Sequence, residues 1–479
     1  MRQSLLLSLS LLVAMPTFAV RRMANVVCFV KFADQEDSDW QHTQDYYEAM
    51  FNNRDEGANS VTNYFSDMSY GNLELTSTLI PVVYVDSLPR SYYCMKTSIN
   101  PDGYTDYLNA SLREQTMLKR MCDFLDASLP DDVEVDINGD GKIDNLTVII
   151  HGNSEISAER NLWPANTPCL WTSPTLNGKK VGYYLKVFDK ANGYQGFEPQ
   201  ELNTGVICHE MMHTLDAPDL YSKGKLEPVG VWDLMSDNQK MPQGLSAYIR
   251  STYGRFFGNW IPEIKELTES GRYTLKPLAS ATSTDVAYKI VPDGSKGEYF
   301  MVEYRNKSDM WDRSLPAAGM LVYRIDPQKS GNLSETRFEM YVFRPGGSTT
   351  KVGKLAQAPL GAATGRTSFG TEADADYPFY GDGSRAPFSI SDVVETECGV
   401  EFTLTFGDNS GIDDIWADGA SQAYYDRVKG EIIAPGAENV EIFSISGLRI
   451  SSLSDAPKGV YLARIGYPDG TVKTIKFVK

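Results

Sequence analysis

Apolar residues in the first third of the chain form two kinds of pattern, continuous runs and helical stripes. Residues 24–32 are almost all apolar, as is typical of a strand buried on both faces, and residues 146–150 form a second such run. Residues 73–85 are rich in β-branched side chains and are expected to pair in the same sheet. Ser60 is a predicted helix N-cap, and residues 105–129 carry an apolar stripe with helical spacing. These elements predict an α+β domain.

The pattern changes from about residue 264 onward. Short β-rich runs follow one another, separated by turn residues and with little helical periodicity, which predicts an antiparallel β-sandwich that ends near Phe406. Residues 407–411, rich in Gly, Asp and Ser, read as a linker. The last 70 or so residues predict another small β unit.

The N-terminus has the features of a secretory signal peptide. Residues 1–19 contain an early Arg, an apolar run and small residues before the expected cleavage point after Ala19. The run is too short to span a bilayer, and no later segment is long and apolar enough to do so. We therefore expect a protein outside the cytoplasm without a transmembrane segment in the mature chain. The strand predicted at residues 24–32 leaves no room for a folded pro-segment.

Length and composition limit the possible functions. A chain of 479 residues is expected to form two or three domains. Its net charge of −18 argues against binding to nucleic acid as a main task, because domains that bind phosphate backbones are usually basic. Six cysteines in an exported chain allow disulfides, but their pairing cannot be read. Cys28 and Cys208 are expected to be buried core residues.

One short motif carries most of the chemical information. His209, Glu210 and His213 form the pattern H-E-x-x-H, although the chain has only four histidines. On a helix, positions i and i+4 share a face, so both imidazoles can bind one Zn²⁺ ion while the Glu accepts a proton from its water. Asp219, six residues further on, is a candidate third ligand. Met235 lies in a segment that resembles the Met-turn beneath such sites. The competing hypothesis is a buried helix face with two incidental histidines.

A second motif, in residues 136–144, matches the first part of a calcium loop. Oxygen ligands occupy positions 1, 3, 5 and 9, and Gly141 occupies position 6, but position 12 is Thr147 instead of a bidentate Glu. Either another loop completes the ligand shell or these residues simply form tight turns. The candidate ligands are Asp136, Asn138, Asp140, Asp144 and, through its backbone carbonyl, Lys142.

Several segments together resemble the immune-inhibitor-A family of metallopeptidases. The stretches SVTNYFSDMSYGNLEL, DINGDGKIDNLTVIIHG, HEMMHTLDAPDLY and VGVWDLMS occur in the order of that family. The resemblance implies a zincin-type catalytic domain, secreted endopeptidase activity, zinc in the active site and calcium for stability. We accordingly expect a signal peptide at 1–19, a catalytic domain at 20–262, a β-sandwich domain at 263–407, and a linker with a C-terminal β-sandwich domain at 408–479.

The chain departs from the family pattern at Asp216. The family has Gly three residues after the second His, where the chain must turn back towards the metal. Asp tolerates left-handed backbone conformations better than most residues, so the turn is compatible with this sequence. Asp216 also competes with Asp219 as the third ligand, and the family spacing favours Asp219. No oxyanion donor stands out among Tyr221, Tyr248 and His151.

The C-terminal unit resembles the sorting domain of cargo for the type IX secretion system. The resemblance covers roughly residues 412–479 and rests on KGVYLARI followed by a Lys-rich final strand. It implies an interaction with the secretion machinery and delivery to the cell surface or medium. A generic immunoglobulin-like accessory domain is the alternative.

The sequence therefore predicts a zinc endopeptidase that acts on extracellular protein or peptide substrates. Two other functions stay open. One is a surface binding protein or adhesin that keeps the peptidase fold without catalysis, and the presence of Glu210 argues against it. The other is a metal-dependent hydrolase that acts on something other than peptides.

Overall fold

A computed structural model describes most of the chain after the predicted signal peptide: residues 20–36, 40, 42–130, 132–152, 162–190, 201–254, 258, 260–292, 295, 297–407, 423–426, 429–444 and 447–479. The predicted signal peptide and all but the first residue of the predicted linker lie outside these residues. The chain divides into two compact units, Met1–Phe406 and Gly407–Lys479. This division does not separate residues 20–262 from 263–407, and the boundary at 262/263 stays a prediction.

The first unit contains five α-helices and fifteen strands in its described residues. The helices are α1 (Gln44–Asn52), α2 (Val61–Met68), α3 (Tyr107–Asp126), α4 (Thr204–Thr214) and α5 (Ala247–Thr252). The first seven strands are β1 (Arg21–Phe32), β2 (Leu73–Asp86), β3 (Leu146–Ile150), β4 (Ala165–Pro168), β5 (Thr175–Leu176), β6 (Lys179–Lys180) and β7 (Tyr183–Phe188). The next eight are β8 (Lys265–Leu267), β9 (Gly271–Leu275), β10 (Ala287–Ile290), β11 (Tyr299–Arg305), β12 (Gly319–Ile325), β13 (Met340–Val342), β14 (Phe388–Thr396) and β15 (Gly399–Phe406).

A five-stranded sheet in the order β2-β1-β3-β7-β4 is formed by the N-terminal part of the first unit. Strands β1, β2, β3 and β7 are parallel, and β4 lies at one edge, antiparallel to β7. Side chains of β1 alternate between two cores. Val27 and Phe29 pack with α1, α2 and α4, whereas Cys28 and Val30 pack with α3. The sheet is thus covered by helices on both faces, which explains why residues 26–30 of β1 are apolar without alternation.

Local sequence signals account for the ends of the helices. The Ser60 hydroxyl accepts a hydrogen bond from the backbone N–H of Asn63 at 3.2 Å, which confirms the predicted N-cap of α2. Gly71 adopts a φ of 74°, a left-handed conformation in the turn that leads into β2. Asp106 caps α3 in the same way, through Asn109 N–H at 2.9 Å. The predicted helix at 105–129 is therefore confirmed with shorter bounds.

Two further sheets follow in the same unit. One has the order β13-β12-β11-β10-β8 and the other has the order β14-β15-β9. Most neighbouring strands are antiparallel, but β8 pairs with β10 in parallel, so the larger sheet is mixed. Phe300 of β11 and Phe402 of β15 belong to one buried apolar cluster, which both sheets share. The β-rich character predicted from residue 264 onward is confirmed, while the sandwich arrangement stays a prediction.

The second unit is a small β structure. Its described strands are β16 (Tyr424–Asp426), β17 (Glu431–Ile433), β18 (Asn439–Ser444), β19 (Arg449–Ile450), β20 (Val460–Gly466) and β21 (Val472–Val478). Four of them form an antiparallel sheet in the order β19-β18-β20-β21, and β16 pairs with β17. Tyr461, Ala463 and Phe477 form its small buried core.

Candidate metal centre and catalytic site

Helix α4 places the two histidines of the motif next to each other. Asn203 caps the helix through its side-chain oxygen, which accepts from Val206 N–H at 3.1 Å. His209 and His213 lie one turn apart, with ring centroids separated by 5.0 Å. Cys208, which precedes the first His, is fully buried in the core, as predicted. The helix is buried along most of its length, so its position relative to the sheet is fixed by packing.

The chain turns back towards the two imidazoles after α4 ends. Asp216 has a φ of 64°, the left-handed conformation that the family resemblance implies at this position, and its side chain is exposed. Asp219 Oδ1 then lies 3.2 Å from His209 Nε2 and 3.3 Å from His213 Nε2. The structure therefore brings Asp219, and not Asp216, together with the two histidines. Within the described part of the chain, these three residues form the one group of His, Cys, Asp or Glu side chains with metal-ligand spacing.

The hydrogen bonds of the two imidazoles show that this group suits a metal ion. His209 Nδ1 lies 3.0 Å from the carbonyl oxygen of Leu234, and His213 Nδ1 lies 2.7 Å from that of Ala217. A carbonyl only accepts, so each Nδ1 donates its proton to that carbonyl, and Nε2 is the ring nitrogen that faces Asp219. Asp219 Oδ1 is itself buried and has no hydrogen-bond partner among the described residues. Two ring nitrogens and one carboxylate oxygen thus face one point, the arrangement that a bound cation satisfies.

The electrostatics of the site agree with this geometry. Burial lowers the pKa of the His209 imidazole, but the carboxylates of Asp219 and Glu210 outweigh burial and raise that pKa to about 9. Burial raises the pKa of Asp219, and the two imidazoles outweigh it and hold that pKa well below its usual range. The centre therefore attracts positive charge, whether a proton or a metal cation.

Glu210 lies beside the candidate metal ligands in the same cavity. The cavity has a volume of about 850 Å³ and is also lined by Ala165 and Asn166 of β4 and by Tyr221. Glu210 is only 7% exposed, and this burial raises the pKa of its carboxyl above the usual range despite the opposing effect of the two imidazoles. A carboxylate with a raised pKa is a stronger base than an exposed one, as proton abstraction requires.

The segment around Met235 forms the wall behind the ligands. Met235 is fully buried, its carbonyl oxygen accepts from Leu220 N–H at 2.8 Å, and the preceding Leu234 carbonyl holds His209. Asp233 fixes this wall, because its carboxylate accepts from the N–H groups of Met235 at 2.8 Å and Ser246 at 2.7 Å. These contacts fix the carbonyls that bond the His209 ring and the N–H of Leu220.

Asn166 and the three candidate oxyanion donors occupy different environments. Asn166, which the sequence did not single out, donates from Nδ2 to the Glu210 carbonyl at 3.3 Å. Tyr221 is 41% exposed and lines the cavity. Tyr248 is buried and donates to Glu339, and His151 is buried against Asp189, with 3.0 Å between Nδ1 and Oδ2. Only Tyr221 of the three donors lines the cavity.

The residues of the predicted calcium loop make hydrogen bonds within the loop and to Lys179. Asp136 Oδ1 and Asn138 Oδ1 accept from Asp140 N–H at 3.0 and 2.8 Å, and Asp140 Oδ1 accepts from Lys142 N–H at 2.9 Å. The Lys179 ammonium lies 2.8 Å from Asp136 Oδ2. The two oxygens of Asp144 differ: Oδ2 accepts from Ala24 N–H at 3.0 Å, whereas Oδ1 is buried with no partner among the described residues.

Residues 9–250 match the sequence profile of the immune inhibitor A peptidase M6 catalytic domain. The chain belongs to the immune inhibitor A (M6) peptidase family. This is a family of metallopeptidases, so the chain is identified as a protease whose family implies a metal in the active site. Peptidases of the family are typically extracellular. Across the described residues, no helix has the length and apolarity to cross a membrane.

Other comparisons add little to the family assignment. No curated protein sequence matches the chain. Among solved structures, wild-type OgpA from Akkermansia muciniphila shares 10% identity with it, at a TM-score of 0.25 and with 96% of this chain and 94% of the other covered. Catalytically inactive OgpA in complex with an O-glycopeptide (glycodrosocin) substrate gives the same identity and TM-score, with 93% of that chain covered. A TM-score this low does not establish a shared fold.

Proposed function

We propose that this M6 peptidase is a secreted zinc endopeptidase that hydrolyses peptide bonds in extracellular proteins. The observation that carries the proposal is that His209, His213 and Asp219 direct two ring nitrogens and one carboxylate oxygen to one point, beside Glu210 and in one cavity. Two neutral imidazoles and a carboxylate are a ligand set that zinc takes in hydrolytic enzymes, with a further position open to water. The test is whether loss of Glu210 abolishes a zinc-dependent peptidase activity.

The residues of the site have different roles in the proposed reaction. Zinc, when bound, would polarise the scissile carbonyl and lower the pKa of a water molecule. Glu210 accepts the proton of the attacking water and then donates it to the leaving nitrogen. The Nδ1 bonds of His209 and His213 fix both rings in the tautomer that leaves Nε2 free for the metal. Met235 supports the ligands from below and takes no part in the chemistry.

The position of β4 supports a peptide as the substrate. This strand is at the edge of the five-stranded sheet, and Ala165 and Asn166 form part of the cavity wall. An extended peptide can add to such an edge through backbone hydrogen bonds, which places its scissile bond next to α4. Because an added strand extends on both sides of the scissile bond, this geometry favours cleavage within a chain.

We further propose that the protein is exported by its predicted signal peptide and that the unit formed by residues 407–479 engages the secretion machinery. The composition of residues 1–19 and the Lys-rich strand β21 support this proposal. Removal of residues 407–479 should retain the protease inside the producing cell, whereas the full chain should reach the surface or medium. An unchanged distribution would contradict the sorting role.

Calcium in the loop of residues 136–144 is a separate proposal. The spacing of the candidate ligands and the partnerless Oδ1 of buried Asp144 support it. The Lys179 ammonium occupies one oxygen of Asp136, so a bound ion would compete with this side chain. The alternative is a loop that needs no ion, in which backbone N–H groups and Lys179 satisfy the carboxylates.

A further inference from the structure

A loop far along the chain contacts the backbone of the third metal-ligand candidate. This loop connects β12 to β13 and contains Asn332, which is fully buried. The backbone N–H of Asn332 donates to the carbonyl oxygen of Asp219 at 2.7 Å. Its side-chain Nδ2 donates to the carbonyl oxygen of Leu220 at 2.8 Å. Asn332 therefore bonds the consecutive carbonyls of Asp219 and Leu220, which we call the ligand segment.

Asn332 is in turn fixed to the sheet. Its Nδ2 also donates to the carbonyl of Met340, the first residue of β13, at 2.8 Å, and its Oδ1 accepts from Met340 N–H at 3.1 Å. The side chain thus uses both its donor and acceptor groups on backbone atoms. An aliphatic replacement would remove these partners from the carbonyls of Leu220 and Met340 and from the N–H of Met340.

The neighbouring Gly331 approaches the same segment closely. It has a φ of 74°, and a Cβ atom at this position would lie 2.6 Å from the carbonyl oxygen of Asp219 and 2.9 Å from Cβ of Pro218. The carboxylate of buried Glu339 accepts from Gly331 N–H and from the hydroxyl of Tyr253, the latter at 2.6 Å. The loop is therefore held against the ligand segment, with no space for a larger residue.

The ligand segment needs such external support. Asp219 follows the left-handed turn at Asp216 and lies outside α4, so the helix does not set the direction of its carboxylate. Its carbonyl is bonded by Asn332, and the next N–H, that of Leu220, is bonded by the carbonyl of Met235. Two separate parts of the chain thus determine where Oδ1 of Asp219 points.

We propose that Asn332 is a positioning residue for Asp219, so that the affinity for the metal depends on the loop between β12 and β13. The inference rests on the proposed zinc site. It assigns a function in metal binding to a residue beyond the matched family region of residues 9–250. Residues that orient metal ligands typically change metal affinity by about 10-fold to 100-fold when they are replaced.

The test compares Asn332→Ala with Asn52→Ala in the full-length protein. Asn52 is a matched control, because its Oδ1 accepts from Ser77 N–H at 3.1 Å and its Nδ2 donates to the carbonyl of the same residue at 2.8 Å. Zinc affinity is measured by competition with a chromophoric chelator, at a temperature where circular dichroism shows both variants folded. Asn332→Ala should bind zinc about 10-fold to 100-fold more weakly than the wild type, whereas Asn52→Ala should bind it like the wild type.

If Asn332→Ala does not fold, a second pair of variants tests whether the loop between β12 and β13 positions Asp219. Gly331→Ala pushes a methyl group against Asp219, whereas Gly346→Ala introduces similar backbone strain at a φ of 67° with no atom within 4 Å of the new Cβ. Zinc affinity should fall in the first variant and not in the second. Equal affinities within either pair would overturn the positioning role. A wild type that binds no zinc would instead overturn the proposed function.

Discussion

The Nδ2 atom of Asn166 lies 2.7 Å from the hydroxyl oxygen of Thr214, so the edge strand β4 is bonded directly to helix α4. The same nitrogen also reaches the carbonyl of Glu210 at 3.3 Å. The strand that we propose to bind the substrate and the helix that carries the proposed base are thus joined by one amide. Their relative position determines how far the scissile bond lies from Glu210.

We expect Asn166→Ala to lower kcat/KM by about 10-fold, which corresponds to ~1.4 kcal/mol, without loss of bound zinc. The reason is that the strand loses its direct link to α4 while all three metal ligands stay in place. The control is Asn63→Ala, which likewise removes an amide with two acceptors, in this case the backbone carbonyls of Asp55 and Ala58. Equal activity of the two variants would show that Asn166 does not align the strand with the helix.

The third metal ligand can be assigned by comparing two carboxylates. Asp219→Ala should lose bound zinc, because it removes the oxygen that faces both imidazoles at 3.2 and 3.3 Å. Asp216→Ala should keep zinc, because the Asp216 side chain is exposed and outside the ligand group. Metal content after dialysis, measured by mass spectrometry, checks both variants. The opposite pattern would show that the chain rearranges on metal binding.

The calcium proposal predicts a change in thermal stability. A calcium-selective chelator, added to protein saturated with zinc, should lower the melting temperature, because the loop loses an ion that binds only the folded state. Lys179→Met should make the dependence on calcium stronger, since it frees the Asp136 oxygen that the ammonium occupies. An unchanged melting temperature in both proteins would favour the loop that needs no ion.

The features predicted correctly from sequence are those with local causes. The neighbouring positions of His209 and His213 follow from the period of a helix. The left-handed turn at Asp216 is instead expected from the resemblance to a family that has Gly at this position. The long apolar run of β1 and the N-cap at Ser60 are likewise properties of neighbouring residues.

The features that the sequence did not reveal depend on contacts between distant residues. Strand β4 has four half-buried residues and no apolar alternation, so nothing in its sequence marks it as the edge of a sheet. Asn332 contacts Asp219 across more than a hundred residues, through a loop whose position depends on the sheet of β10 to β13. Packing places these residues at the site, and no spacing rule could have found them.

The most direct test of the account is cleavage of unfolded casein by the purified mature protein. Wild-type protein should cleave casein, lose this activity on treatment with a chelator and regain it when zinc is added. Glu210→Ala should bind zinc but lose activity by about 10²-fold to 10⁴-fold, the usual contribution of a general base. Glu372→Ala, at an exposed residue away from the cavity, serves as the control. If Glu210→Ala and wild type cleave casein equally, or neither cleaves it with zinc bound, the proposed peptidase mechanism is wrong.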